Sequence, residues 1–540
     1  MPRLFADLHT HSSLYAFNRM RNSPELEGDP DIFHPWRGQD FDREKLAEGA
    51  HGASYSQSSF TKLTQGNVRL AIVSLTPLER EFFSPQPEEQ TSFAKEALKL
   101  ASGLTTAEGA LKLARGDGKG ARQTMGRILQ NKGPLRHMLQ MAYMRYTGNR
   151  VKYVLSAAFD YWDEYHRELS FLRSRDGIRH APAPHRDGYE DEVAGCYHLI
   201  RDRGHLRETI ENTQDIAVVL SIEGAHVFSV GAGNEPAPLE LMLERIAALK
   251  AQPEPLLVLT TGHHFDNALH GHARSLPGIA AFALDQSARL NSGFERENDR
   301  GLRVVRELLD LDDDGNDRGG RRIVLDVKHM SPRTRKEYYA EVIEPFNTNP
   351  VNADRRIPIV GSHVSYSGRQ TLDQLIADEH RESDGWQVGA HYAWGINLCD
   401  EDVQAIHDSR GVAGFIFDRR VSGVSKHVPE AFHVDTFLAQ LIGFVDAVYT
   451  DDTRSVEDRR RVWDCLTIGS DFDGMIHPVP RYATAALLDR FAEDLRDTLQ
   501  RIAHTRQIAQ IGVDELVEKI CWRNLYEFAL RHLPEAPAEG

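Results

Sequence analysis

Eight short apolar runs rich in β-branched residues, separated by stretches patterned as helices, constrain this chain more than any other feature. They are Leu4 to Leu8, Val68 to Leu75, Ala217 to Ile222, Leu256 to Thr260, Ile323 to Val327, Ile357 to Val360, Val412 to Phe417 and Leu466 to Ile468. A strand with one wet face alternates polar and apolar residues, whereas a run that is apolar throughout is buried on both faces. Strands of that kind alternating with helices form a parallel sheet. Eight such units in series fit a closed (β/α)8, or TIM, barrel, whose chemistry gathers where the strands end.

The expected organisation is a single barrel over residues 1–540 with one large insertion. Between the second and third runs, Pro85 to about Arg207 is far longer than a βα link needs, and it is helically patterned at Ala94 to Leu100, Met138 to Tyr146 and Tyr161 to Leu172. From Thr91 to Leu155 it carries twelve Lys or Arg against three Asp or Glu. That charge is read as a solvated helical cap rather than a surface for an acidic partner. Asp514 to Leu530 reads as an amphipathic helix that closes the barrel, and Pro534 to Gly540 as a frayed tail.

Composition excludes several classes. A formal charge of −16 argues against nucleic acid as the main partner. Cys196, Cys399, Cys465 and Cys521 are widely spaced without a CxxC pair, which disfavours a disulfide framework and suits a reducing compartment. Met1-Pro2-Arg3 leads straight into the first strand, and no apolar run approaches the roughly 20 residues of a bilayer span. The expectation is a cytoplasmic protein without a membrane span. Two motif lookalikes carry nothing: Gly116-Asp117-Gly118-Lys119-Gly120 is no phosphate loop, and the EF-hand-like start at Asp310 to Gly315 puts Arg321 where a bidentate Glu is required.

The strand ends are where the argument turns to chemistry. The first run leads into Asp7-Leu8-His9-Thr10-His11, where alternate residues share a face and can grip one ion. The third ends in Glu223, the fourth in Gly262-His263-His264, the fifth in His329, the sixth in His363 and the eighth in Asp471. Six of the eight ends thus carry a metal-ligand type of side chain, and coincidence does not explain six. Histidines with a carboxylate suit one or two hard or borderline divalent cations, most simply zinc. Two cations can share a carboxylate and hold a hydroxide between them. Asp471, at the last strand end, is the candidate general base.

With those residues in view, the chain resembles the renal (membrane) dipeptidase family, peptidase family M19, of the amidohydrolase superfamily. The likeness rests on Asp7-Leu8-His9-Thr10-His11, Ser221-Ile222-Glu223-Gly224, Leu325-Asp326-Val327-Lys328-His329-Met330-Ser331, Gly361-Ser362-His363, Asn397-Leu398-Cys399-Asp400-Glu401, Gly411-Val412-Ala413-Gly414 and Gly469-Ser470-Asp471-Phe472-Asp473-Gly474. Arg523-Asn524-Leu525 matches the family's terminal motif less closely, and the insertion is not covered. The resemblance implies that His9 and His11 hold one zinc with Glu223, that Glu223 bridges to a second zinc on His329 and His363, and that Asp471 lies over the bridging water. It also implies that His263 or His264 polarises the scissile carbonyl, and that a homodimer forms.

Two departures bear on specificity. The family's first motif is His-x-Asp, and here it is His9-Thr10-His11. The family's Arg for the substrate carboxylate precedes Asn-x-x-Asp, but here Gly395-Ile396 stand before Asn397, leaving Arg369 as the candidate. The expected function is a binuclear zinc hydrolase of M19 type, dipeptidase-like, cleaving an amide or peptide bond in a small substrate by a metal-bridged hydroxide. The alternatives are an amidohydrolase acting on a lactone, ester or cyclic amide, and a non-catalytic metal-stabilised binding protein. His226 is expected to pack under the rim, His270 and His272 to be solvated or substrate-facing, and Asp473 to orient a loop.

Overall fold

The structure is a computed structural model and describes residues 3–22, 34–38, 55–83, 148–185, 189–229, 237–276, 285–296, 298–378, 391–424 and 428–536. The stretches 94–100 and 138–146, the glycine-rich turn 116–120 and most of the basic middle lie outside the described residues. The third stretch read as helical in the insertion is a helix, Tyr161–Arg173, started by the Asp160 side chain accepting from the Trp162 amide.

Among the described residues nine parallel strands form the sheet: β1 (Phe5–Thr10), β2 (Val68–Leu75), β3 (Tyr197–Leu199), β4 (Ile216–Glu223), β5 (Leu256–Thr260), β6 (Val324–Asp326), β7 (Val360–Val364), β8 (Val412–Phe415) and β9 (Leu466–Ile468). Their order is β2-β1-β9-β8-β7-β6-β5-β4-β3. β4 pairs back onto β2 from Leu70↔Ala217 to Leu75↔Ile222, so eight strands close a ring. This is a TIM barrel. β3 pairs only with the first residues of β4, outside the ring, and falls within the stretch read as insertion.

All eight apolar runs contain barrel strand, with one displaced. β7 starts at Val360, where the Ile357 to Val360 run ends. Pro358 has no N–H for the ladder, so Ile357 and Ile359 are buried ahead of the strand rather than paired within it. Inside the ring, Ala6, Leu8, Leu70, Ile72, Ala217, Val219, Val324, Val360 and Val412 form one cluster with Leu525, Phe528 and Ala529 of the helix Asn524–His532. These come mostly from the first halves of the strands, so the C-terminal helix plugs the end opposite the strand C-termini. Burying each Val, Leu, Ile or Phe among them stabilises the plug by about 1.5–3 kcal/mol.

Glycines allow the last strands to pass closely. A Cβ on Gly414 would meet the Ser362 carbonyl oxygen at 2.2 Å, and one on Gly469 would meet the same oxygen at 1.9 Å. The tail is better tied than expected at its start: the Pro534 carbonyl accepts from the Arg203 amide, and Glu535 pairs with the Arg203 guanidinium. The reading that no apolar run nears spanning length is also corrected. Among the described residues one helical stretch, Glu430–Tyr449, is long and apolar enough by length and composition. It buries Phe437, Leu441, Phe444, Val445 and Val448.

Candidate metal centre

Backbone irregularities aim the strand ends. Between Asp7 and Thr10, β1 spends three steps where β2 spends two, and between Gly361 and Val364 β7 does the same against β8. Each extra residue re-aims the side chains beyond it, and His9 and His363 sit in these two irregularities. His329 and Asp471 adopt φ of 65° and 59°, the left-handed region that non-glycine residues enter at a cost of about 1–2 kcal/mol.

Two buried aspartates hold these ends in register. Asp7 Oδ1 accepts from the backbone N–H of His9 and of Ser470, at 3.1 and 2.9 Å, while Oδ2 accepts from the Ser470 hydroxyl. Asp326 does the same one strand pair away. Its Oδ1 accepts from the Lys328 and Ser362 amides at 3.0 and 2.9 Å, and Oδ2 from the hydroxyls of Thr260 and Ser362. Asp7 thereby stitches the end of β1 to that of β9, and Asp326 stitches β6 to both β5 and β7.

Glu223, at the end of β4, is the hub. Its Oε1 lies 3.7, 3.3 and 3.4 Å from Nε2 of His9, His329 and His363. Its Oε2 lies 3.2 and 3.5 Å from Nε2 of His11 and His263. Several rings are anchored through the other nitrogen: His11 Nδ1 on Thr76, His363 Nδ1 on Ser362 and His263 Nδ1 on Glu79. Glycine at 224, with φ of 103°, turns the chain immediately after the hub. Burial alone would raise the Glu223 carboxyl, but His263, His9 and the hydrogen bonds from His11 and His329 hold it well below the usual carboxylate range.

Asp471 closes the cluster from β9. Its Oδ1 is 3.4 Å from His11 Nε2 and 3.9 Å from His9 Nε2, and burial pushes its carboxyl up despite the His11 hydrogen bond. Nε2 atoms of His9 and His11 stand only 3.2 Å apart. Two imidazole nitrogens facing each other beside two carboxylates make a donor set for a cation. The ligand-type atoms group within 4.8 Å as His9–Glu223–His363, His9–His11–Asp471 and Glu223–His263–His329. The residues therefore fit one or more divalent cations, with His9 and Glu223 each shared between groups.

The fourth-strand histidines separate. His263 Nε2 faces Glu223, whereas His264 turns its Nδ1 to the Ser275 hydroxyl at 2.6 Å. His263 owes its pose to Glu79, a residue the motif reading overlooked. Glu79 Oε2 is 2.7 Å from His263 Nδ1, and Oε1 accepts from the Phe265 amide at 3.1 Å. Burial pushes Glu79 up to about 7 and His263 down. With Glu79 on Nδ1, the other ring nitrogen, Nε2, is left facing Glu223. Glu79 lies four residues past β2, and reading further beyond that strand end would have found it.

Lys328 was passed over as well. It is 2% exposed, its Nζ has no hydrogen-bond partner, and burial lowers it to about 8 against the pull of Asp471, Asp326 and Glu223. The Arg369 guanidinium is bound to Asp378 at 2.6 Å and is 41% exposed. His226 packs beneath the rim as expected, its Nε2 on the Pro77 carbonyl. His270 and His272 are not solvated. Both are 1% exposed, His270 held by Thr261 and the Gly271 carbonyl, His272 by the carbonyls of Ala273 and Ala288. Asp473 accepts from the Gln57 and Ser58 amides and so orients its loop.

No protein-family model matches the chain. No curated protein sequence matches it either. Its structural neighbours include M19 dipeptidases. One solved structure, the dipeptidase AC, a metallopeptidase of family M19, is 14% identical with a TM-score of 0.48, covering 98% of this chain and 99% of that one. A Rhodobacter sphaeroides metallopeptidase, liganded with a phosphinate mimic of the dipeptide L-Ala-D-Ala, is 14% identical with a TM-score of 0.46, covering 98% and 100%. The probable dipeptidase PvdM from Pseudomonas aeruginosa is 14% identical with a TM-score of 0.38, covering 88% of each chain. The barrel stands on its strand pairing and the centre on its own geometry.

Proposed function

We propose that this chain is a metal-dependent hydrolase of the M19 type that cleaves an amide bond in a small, dipeptide-like substrate. The observation that carries the reading is the convergence of five imidazole Nε2 atoms on Glu223, with Asp471 beside them. His9, His11, Glu223, His329 and His363 would hold two divalent cations, most simply zinc. When bound, such cations polarise a carbonyl and make water acidic enough to attack near neutral pH.

The remaining work falls to side chains. Asp471 takes the proton from the attacking water and returns it to the leaving nitrogen, a role suited to a carboxyl raised by burial. His263, its Nδ1 held by Glu79, donates from Nε2 to the carbonyl oxygen as negative charge builds there. Lys328 offers a buried ammonium to the substrate's carboxylate in place of the family's Arg. Asp7 and Asp326 keep the strand ends in the geometry these steps require.

A second reading, hydrolysis of a lactone or cyclic amide, is favoured by the position of Arg369. Its guanidinium is engaged by Asp378, and a neutral cyclic substrate needs no carboxylate anchor. The experiment is elemental analysis of protein purified without chelators, with hydrolysis assays on dipeptides and lactones in parallel. Bound zinc with dipeptide turnover supports the first reading, and bound zinc with lactone turnover alone supports the second. Failure to take up any divalent cation overturns both.

A further inference from the structure

A separate donor cluster lies where β3 joins the barrel. Cys196 and His198 flank Tyr197 and project to the same side of the strand. Asp215 immediately precedes β4, and the pairing of Tyr197 with Ile216 and His198 with Ala217 brings it alongside. Cys196 Sγ is 3.8 Å from His198 Nε2, which is 3.1 Å from Asp215 Oδ2. All three donor atoms lie within 4.8 Å of one another. Cys196 and Asp215 are buried, while the His198 side chain is 25% exposed.

Both contacts of His198 run through the same nitrogen. A thiol–imidazole–carboxylate relay needs one partner on each ring nitrogen, because the proton enters at one and is oriented from the other. Thiol, imidazole nitrogen and carboxylate oxygen here converge on one point instead. A tetrahedral zinc with ordinary bond lengths holds a sulfur–nitrogen pair about 3.5 Å apart and a nitrogen–oxygen pair about 3.4 Å apart. The observed spacings bracket those values. Arg179 pairs with Asp215 Oδ1 at 2.7 Å, which leaves Oδ2 for the cation.

We infer that Cys196, His198 and Asp215 form a second metal site, selective for zinc or a similar thiophilic divalent cation, with its fourth position open to water on the solvent side. Thiolate and imidazole give the borderline-soft donor set that such ions prefer over magnesium or calcium. On binding, the metal–sulfur bond forms as the thiol proton leaves to solvent, with no change of oxidation state. The site would cross-link β3 to the start of β4 and so pin a strand that does not help close the ring.

Sulfur makes the test specific, because the barrel centre contains no thiol. Full-length protein is stripped of metal, loaded with Co2+ and read for the near-ultraviolet thiolate-to-cobalt charge-transfer band. The band is expected in the unmodified chain and in Glu223→Gln, and it is expected to be lost in Cys196→Ser and in His198→Gln. Zinc content should fall by one equivalent per chain in both of those variants. Circular dichroism of the metal-free variants confirms folding, and His198→Gln, at a partly exposed position, serves should Cys196→Ser misfold. Absence of the band from cobalt-loaded unmodified protein, or its persistence in Cys196→Ser, overturns the site.

Discussion

Glu79 and His263 form a buried acid–imidazole pair, 2.7 Å from carboxylate oxygen to Nδ1, whose far nitrogen points at Glu223. If Glu79 fixes that ring by donating to Nδ1, a side chain that can also donate should substitute for it. Glu79→Gln is expected to retain most of the activity. Glu79→Ala frees the ring and should lower kcat about 10–100-fold with metal content unchanged. Steady-state kinetics with elemental analysis on both variants decides the matter, and an unimpaired Glu79→Ala would remove Glu79 from the site.

Glu223 and Asp471 should respond differently to loss of charge. Glu223→Gln puts a neutral amide where several imidazoles meet one carboxylate, so bound metal should fall together with activity. Asp471→Asn keeps the shape but cannot take a proton, and should keep its metal while losing about 100- to 10,000-fold in kcat. Metal-replete Asp471→Asn with full turnover would show the proton moving through another group.

Asp326 is fully buried and receives hydrogen bonds from Lys328, Ser362 and Thr260. Asp326→Ala leaves those donors unsatisfied between β5, β6 and β7, at a cost of about 3 kcal/mol. Urea unfolding of metal-free protein measures it. A loss below about 0.5 kcal/mol would mean that the strand ends hold their register without the clasp.

His270, held by the Thr261 hydroxyl and the Gly271 carbonyl, supplies a pH dependence of its own. Burial lowers its folded-state pKa from 6.5 to about 4, so the unfolded chain binds the extra proton between those values. Its contribution to stability is therefore present above pH 6.5 and is lost as pH falls toward 4, by about 3 kcal/mol in all. In His270→Gln that part of the decline should vanish, seen as a flatter plot of unfolding free energy against pH. Parallel plots for the two proteins would exclude His270 as a source of the acid sensitivity.

Much of the fold was legible in the sequence because burial on both strand faces leaves unbroken apolar runs. All eight runs contain barrel strand, and Pro358 accounts for the one that is displaced. β3 was missed because three residues outside the ring, Tyr197–Leu199, carry too little pattern to separate from a loop. His270 and His272 looked solvated because their neighbours in sequence are polar. The backbone carbonyls that bury and satisfy them come in part from residues distant in the chain, such as Ala288.

At the centre, the sequence by itself determined which side chains stand at the strand ends, since a parallel barrel brings all of those ends to one rim. It could not determine where each side chain points. The extra residues in β1 and β7, the left-handed backbone at His329 and Asp471, and the Asp7 and Asp326 clasps do that, through hydrogen bonds between residues as far apart as 7 and 470. Only the tertiary structure separated His263 from His264, tied Arg369 to Asp378, and brought Glu79 and Lys328 to the centre. Side-chain direction depends on contacts across the barrel, and local spacing carries no record of those.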